Sequence, residues 1–141
     1  FFEGFIENTW THVAIVRTPQ GEGVVKVSVY VDGAYIMGPT FQEFYDDPAG
    51  SEPIYIGCAD KAEGTTAHFY GAIDELRISN VARYTQGFDP ATILQTDENT
   101  VALYHFDDAD TPLIDASPNQ LDAEWVGEAA FSSGADKLLC E

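Results

Sequence analysis

The sequence predicts an all-β fold, an antiparallel two-sheet sandwich, and three observations carry that prediction. No segment holds a 3.6-residue apolar period over ten residues, so no long helix is expected. Short runs alternate apolar with polar residues and favour β-branched and aromatic side chains, as half-buried strands do. Turn signals such as Asp32-Gly33 separate the runs. Each such strand has a face to bury, and packing those faces together makes a sandwich.

The elements follow in order. Residues 9–17 read as a strand with Trp10, His12, Ala14 and Val16 on one face. Residues 19–23, P-Q-G-E-G, read as a hairpin loop. Residues 24–31 form a β-branched strand that ends at Asp32-Gly33, and residues 34–38 resume an extended path. Residues 39–53 read as a long loop holding Phe41, Phe44, Tyr45 and a run of acids. Residues 54–57 are a short strand and 59–65 a polar loop. Residues 67–70 lead into a strand over 73–78. Residues 89–94 predict a single helical turn with Pro90 at its first position. Residues 100–106 are a strand, 107–119 an acid-rich loop and 123–126 a last strand.

Composition bounds the function. The 141 residues are expected to form one domain over 1–141, and the start at Phe1, without Met, suggests a fragment of a larger polypeptide. A hydrophobic fraction of 45% with 13% aromatics supplies a core. The formal charge is −18, from 24 acids against 6 lysines and arginines, which repels nucleic acid and anionic membranes. Neither is expected as a partner. Acidic, oxygen-rich loops suit calcium, although such charge also serves simple solubility. No run approaches the roughly 20 apolar residues that insert into a bilayer. Cys58 and Cys140 lack C-x-x-C spacing and a His cluster, so zinc and redox sites are not expected; in an exported protein the two thiols are able to pair.

Residues 70–84, Y-G-A-I-D-E-L-R-I-S-N-V-A-R-Y, are the most informative stretch. Alternation places Ile73, Glu75 and Arg77 on one face and Ala72, Asp74, Leu76 and Ile78 on the other. Asp74 then lies among apolar neighbours and needs a partner or a cation.

This stretch, preceded by W-T-H-V-A, V-S-V-Y-V-D-G and I-Y-I-G, resembles the laminin-G/concanavalin A-like jelly-roll family of bacterial and phage surface proteins. The later D-E-N-T-V-A-L-Y-H-F-D-D and D-A-S-P-N-Q resemble that family too. The resemblance implies a jelly roll whose N-terminal strands lie outside this chain. Two departures stand out. Residues 109–112 replace the family's G-x-G, and Ala116-Ser117-Pro118-Asn119 replaces S-S-G-N, where Pro118 cannot adopt positive φ.

The resemblance also implies a structural calcium between the I-D-E strand and the F-D…D-x-S segment. Asp74, Asp107, Asp115 and Asn119 would supply its side-chain oxygens. The alternative pairs Asp74 with Arg77 or Arg83 and makes Asp115 a turn residue with Ser117. Related β-glucanases carry E-x-D-x-E on one strand. Here Ala72 and Leu76 occupy the outer positions, which argues against that catalysis. His12, His68 and His105 read as hydrogen-bonded strand residues, and no G-x-S-x-G elbow occurs.

Phe41, Phe44, Tyr45 and Asp46 form a candidate platform for sugar rings or a protein, or else cover the sandwich rim. The expected function is a non-catalytic extracellular or cell-surface module that binds a glycan or a surface protein. The alternative is a structural domain of a cell-surface assembly or phage tail, with oligomeric contacts; a glycoside hydrolase ranks below both.

Overall fold

In the computed structural model, which describes residues 8–42, 53–61, 65–111, 113–126, 130–132 and 137–140, every regular element is a β-strand. All pairings are antiparallel. The chain divides into two compact parts, Phe1–Ala49 with Val81–Thr92, and Gly50–Asn80 with Ile93–Glu141.

The first part is built on β1 (Val13–Gly21) and β2 (Val24–Val31). Glu22 and Gly23 turn the chain at φ 52° and 72°, and Asp32 and Gly33 turn it again at 47° and 75°. Positive φ at both central residues makes the tight turn whose twist suits a hairpin. The loop expected over 19–23 therefore shrinks to Glu22-Gly23, with a bulge between Pro19 and Gly21 absorbing Gln20. The expected strand over 9–17 likewise starts at Val13, because the amide and carbonyl of His12 are both held by Asp32.

β3 (Ala34–Met37) and β4 (Thr40–Gln42) lie along the other edge of β2. Pro39 interrupts them, since it has no N–H to give, but its carbonyl accepts the amide of Val27 at 3.0 Å. So the segment expected as a loop from residue 39 begins as strand.

Tyr30, 2% exposed, centres the first core. Its hydroxyl donates to the Tyr84 carbonyl at 3.3 Å. Tyr84 stacks on Phe88 with ring centroids 3.6 Å apart. Phe88 also meets His12 edge-to-face and Tyr30 at a tilt. Gly33 allows this packing: its carbonyl accepts the Phe88 amide at 3.0 Å, and a Cβ there would lie 1.7 Å from the Phe88 carbonyl oxygen.

In the second part, β5 (Cys58–Lys61) pairs β6 (Thr65–His68). The strand expected over 54–57 is displaced to β5 because Gly57, at φ 83°, breaks extended geometry first. Of the polar loop expected over 59–65, residues 59–61 and 65 are strand. Cys58 is a free, half-buried thiol. β7 (Gly71–Ile73) pairs β11 (Lys137–Cys140), which also pairs β10 (Ala130–Ser132). β8 (Leu76–Ser79) pairs β9 (Thr100–Tyr104). The core here is Ala102, Tyr104 and Phe106, with Ile73, Leu76 and Ile78 packed on it.

Two further expectations are corrected. Residues 89–94 form no helical turn: the Leu94 amide, which a turn would aim at the Pro90 carbonyl, donates to the Glu75 carboxylate at 2.7 Å. Residues 123–126 form no strand; Ala123 makes a single loop bond to the Leu113 carbonyl.

Candidate functional site

The predicted strand over 73–78 is two strands in two sheets, and Asp74-Glu75 is the switch between them. Glu75 has φ 52°, a left-handed conformation that resets the alternation. The faces read from the sequence therefore fail. Ile73, not Asp74, shares the core with Leu76 and Ile78. Asp74 is half-buried at the switch.

The switch delivers Glu75 to the segment that follows β9. Its Oε1 lies 2.7 Å from His105 Nδ1, while Oε2 accepts the Leu94 amide. Such a residue costs roughly 1–2 kcal/mol of backbone strain, and a charge-assisted bond of roughly 1.5–3 kcal/mol offsets it. Phe106, at φ 57° and 2% exposed, is a second left-handed residue and lies between His105 and Asp107. Glu75, His105 and Asp107 each bring a ligand atom within 4.8 Å of the other two. The Glu75 side chain is 13% exposed and that of His105 32%, whereas Asp107 faces solvent.

Asp115 does something else. It is 5% exposed. Its Oδ1 accepts the Leu103 and Ser117 amides, both at 2.8 Å. Its Oδ2 accepts the Ser117 hydroxyl at 2.6 Å and the Leu121 amide at 2.9 Å. A carboxylate offers about four lone-pair positions, and all four are used. Burial pushes the Asp115 carboxyl up, but the bonds from Ser117, Leu103 and Leu121 outweigh it and hold it below the usual range.

Asn119 spends its side-chain amide on the Thr100 and Val101 carbonyls at 3.1 and 2.9 Å. The left-handed residue near this turn is Gln120, at φ 54°, so Pro118 is not asked for positive φ. The donor set expected for calcium therefore does not fit: Asp115 has no oxygen position left for a cation. Its geometry is that of the turn residue bonded to Ser117.

Nearby, burial raises the Tyr104 phenol above its usual range, and the charges of Asp115 and Asp122 add to the effect. Its hydroxyl donates to the Leu121 carbonyl at 2.6 Å. On the exposed rim, a bond from the Thr111 hydroxyl, followed by one from the Asp110 amide, lowers the Asp108 carboxyl.

Of the expected ligand platform, Phe41 stands on β4 and is 52% exposed. Phe44, Tyr45 and Asp46 lie outside the described residues. Register puts Phe41 opposite Val25, and Val13, Ile15 and Met37 on the same sheet face. That face carries exposed apolar surface, with Ile15 72% exposed.

The sequence reading missed Glu75 and His105 as partners. A signal was present in H-F-D, since His105 and Asp107 are two apart and share a face in an extended strand. Glu75 carried none, because its position depends on a backbone break that alternation cannot show.

An all-β chain with these antiparallel hairpins belongs to the class of β-sandwich modules. A laminin-G-type family model, described as the concanavalin A-like lectin/glucanases superfamily, matches residues 4–86. The match covers more than half of the chain, which therefore belongs to that family. No curated protein and no solved structure gave a significant match.

Proposed function

We propose that this chain is a non-catalytic binding or adhesion module that works outside the cell or at its surface and recognises a glycan or a surface protein. Family membership supports a binding or structural role, since laminin-G-like domains are generally non-catalytic although the wider superfamily includes glycosidases. The observation that carries the reading is the apolar face of β1–β4, where Val13, Ile15, Met37 and Phe41 are all exposed. Exposed apolar side chains gathered on one sheet face mark an interaction site. Ala72 and Leu76, where a glucanase strand has its outer acids, favour binding over hydrolysis.

The same face favours a second reading, a structural domain of a cell-surface assembly or phage tail, because assemblies bury apolar faces. A glycan array separates the two. A glycan-binding module gives hits that weaken in Phe41→Ala, Phe44→Ala or Tyr45→Ala. A chain with no glycan hits, whose mass in solution shows self-association lost in Ile15→Lys, is an assembly domain. A strict monomer without glycan or protein ligand overturns both.

A further inference from the structure

We infer that Glu75, His105 and Asp107 form a binding site for a divalent transition-metal ion of the zinc and cobalt class. This goes beyond the binding-module reading, and either can fail without the other. Three donors meet here, Glu75 from the switch between β7 and β8 and His105 and Asp107 from the segment just after β9, and each has a ligand atom within 4.8 Å of the others. Donors bound to zinc lie about 2.0–2.2 Å from it, and so roughly 3–4 Å apart. Glu75 Oε1 and His105 Nδ1 lie 2.7 Å apart, so an ion held here replaces the hydrogen that bridges them, and the Asp107 carboxylate adds a third donor from the solvent side.

The donor chemistry selects the ion class. Calcium takes six to eight oxygens, whereas this site holds an imidazole and two carboxylates. Mixed nitrogen and oxygen donors suit zinc and its neighbours. The surroundings are those of a built site. The Leu94 amide holds the second Glu75 oxygen at 2.7 Å, the kind of outer bond that orients a ligand. Glu75 and Phe106, both within this cluster's backbone, are left-handed, and strain of this kind persists where surrounding structure enforces it. Glu75 is largely shielded and His105 half-buried, while Asp107 faces solvent.

The test is a cobalt titration of the full chain after chelator treatment and dialysis, followed by visible absorption. The expected result is saturation at one equivalent with absorption stronger than that of the aqueous ion. Zinc displaces the signal and a hundredfold excess of calcium does not. His105→Gln and Asp107→Asn each weaken binding by at least about tenfold. Asp107 is exposed, so Asp107→Asn serves if His105→Gln fails to fold, with its metal-free unfolding midpoint as control. Three results overturn the site: no saturable signal, which leaves Glu75–His105 an ion pair only; a signal unchanged in the variants, which places the ion on other acids; or displacement by calcium at equal concentration.

Discussion

The carboxylate of Asp115 accepts the backbone amide of Leu103, twelve residues away in sequence, at 2.8 Å. The bond fastens the 113–126 loop to the centre of β9, and the Ala116 amide repeats the tie by donating to the Leu103 carbonyl at 2.8 Å. An acid in an apolar strand neighbourhood is tolerated because every oxygen position on it is answered.

Replacing Asp115 should therefore be among the most damaging single changes in the second part. Asp115→Ala strands three amides, while the Ser117 hydroxyl can still donate to the Val101 carbonyl at 3.1 Å, and a loss of about 3–5 kcal/mol is expected. Asp115→Asn keeps the shape but turns an NH2 toward donors, so it should lose about 2–3 kcal/mol. Urea unfolding of both variants measures this. A loss under 1 kcal/mol in each would sink the bracket role.

The same carboxyl sets an acid limit. Its folded-state pKa is lowered, so its contribution is present above the unfolded value near pH 3.9 and is lost as pH falls through the folded value. Wild-type stability should drop below about pH 4, and the drop should flatten in Asp115→Asn. Tyr104 acts at the other end. Its pKa is raised, so its contribution is full below the unfolded value of about 10 and is lost as pH rises through the folded one. Tyr104→Phe should remove that alkaline component. Unfolding midpoints across pH 2–11 test both.

Gly33→Ala should break the first part. The added Cβ would meet the Phe88 carbonyl oxygen at 1.7 Å, at a residue whose φ is 75°. Backbone cannot give way cheaply, so a loss of about 3 kcal/mol or more is expected. The Tyr84–Phe88 stack should loosen with it, visible as reduced near-ultraviolet circular dichroism. Unchanged stability and spectrum would show that residues 81–92 do not depend on this approach.

Glu75 sets two effects against each other. Glu75→Gly relieves roughly 1 kcal/mol of left-handed strain but forfeits the Leu94 and His105 contacts, for a net loss of about 1–2 kcal/mol. Glu75→Gln keeps an acceptor for the Leu94 amide and should lose less. If Glu75→Gly proves at least as stable as the wild type in chemical unfolding, the carboxylate contributes less than its strain.

Alternation and turn chemistry were legible in the residues alone. The β-branched run of β2, the Asp32-Gly33 turn and the ordered fragments from Trp10 to the 70–84 stretch determined an antiparallel β fold and the family, because period-two patterning and glycine's access to positive φ are local properties. The candidate site was only half visible. Asp107 was singled out, but its partners were sought in Asp74, Asp115 and Asn119. Only tertiary structure decided that Glu75 turns left-handed, that β7 and β8 join different sheets, and that His105 meets Glu75 while Asp115 is consumed internally. A single positive φ reverses every face that follows it, and which strand a residue then reaches depends on pairings thirty residues away. Local pattern carries no record of those pairings.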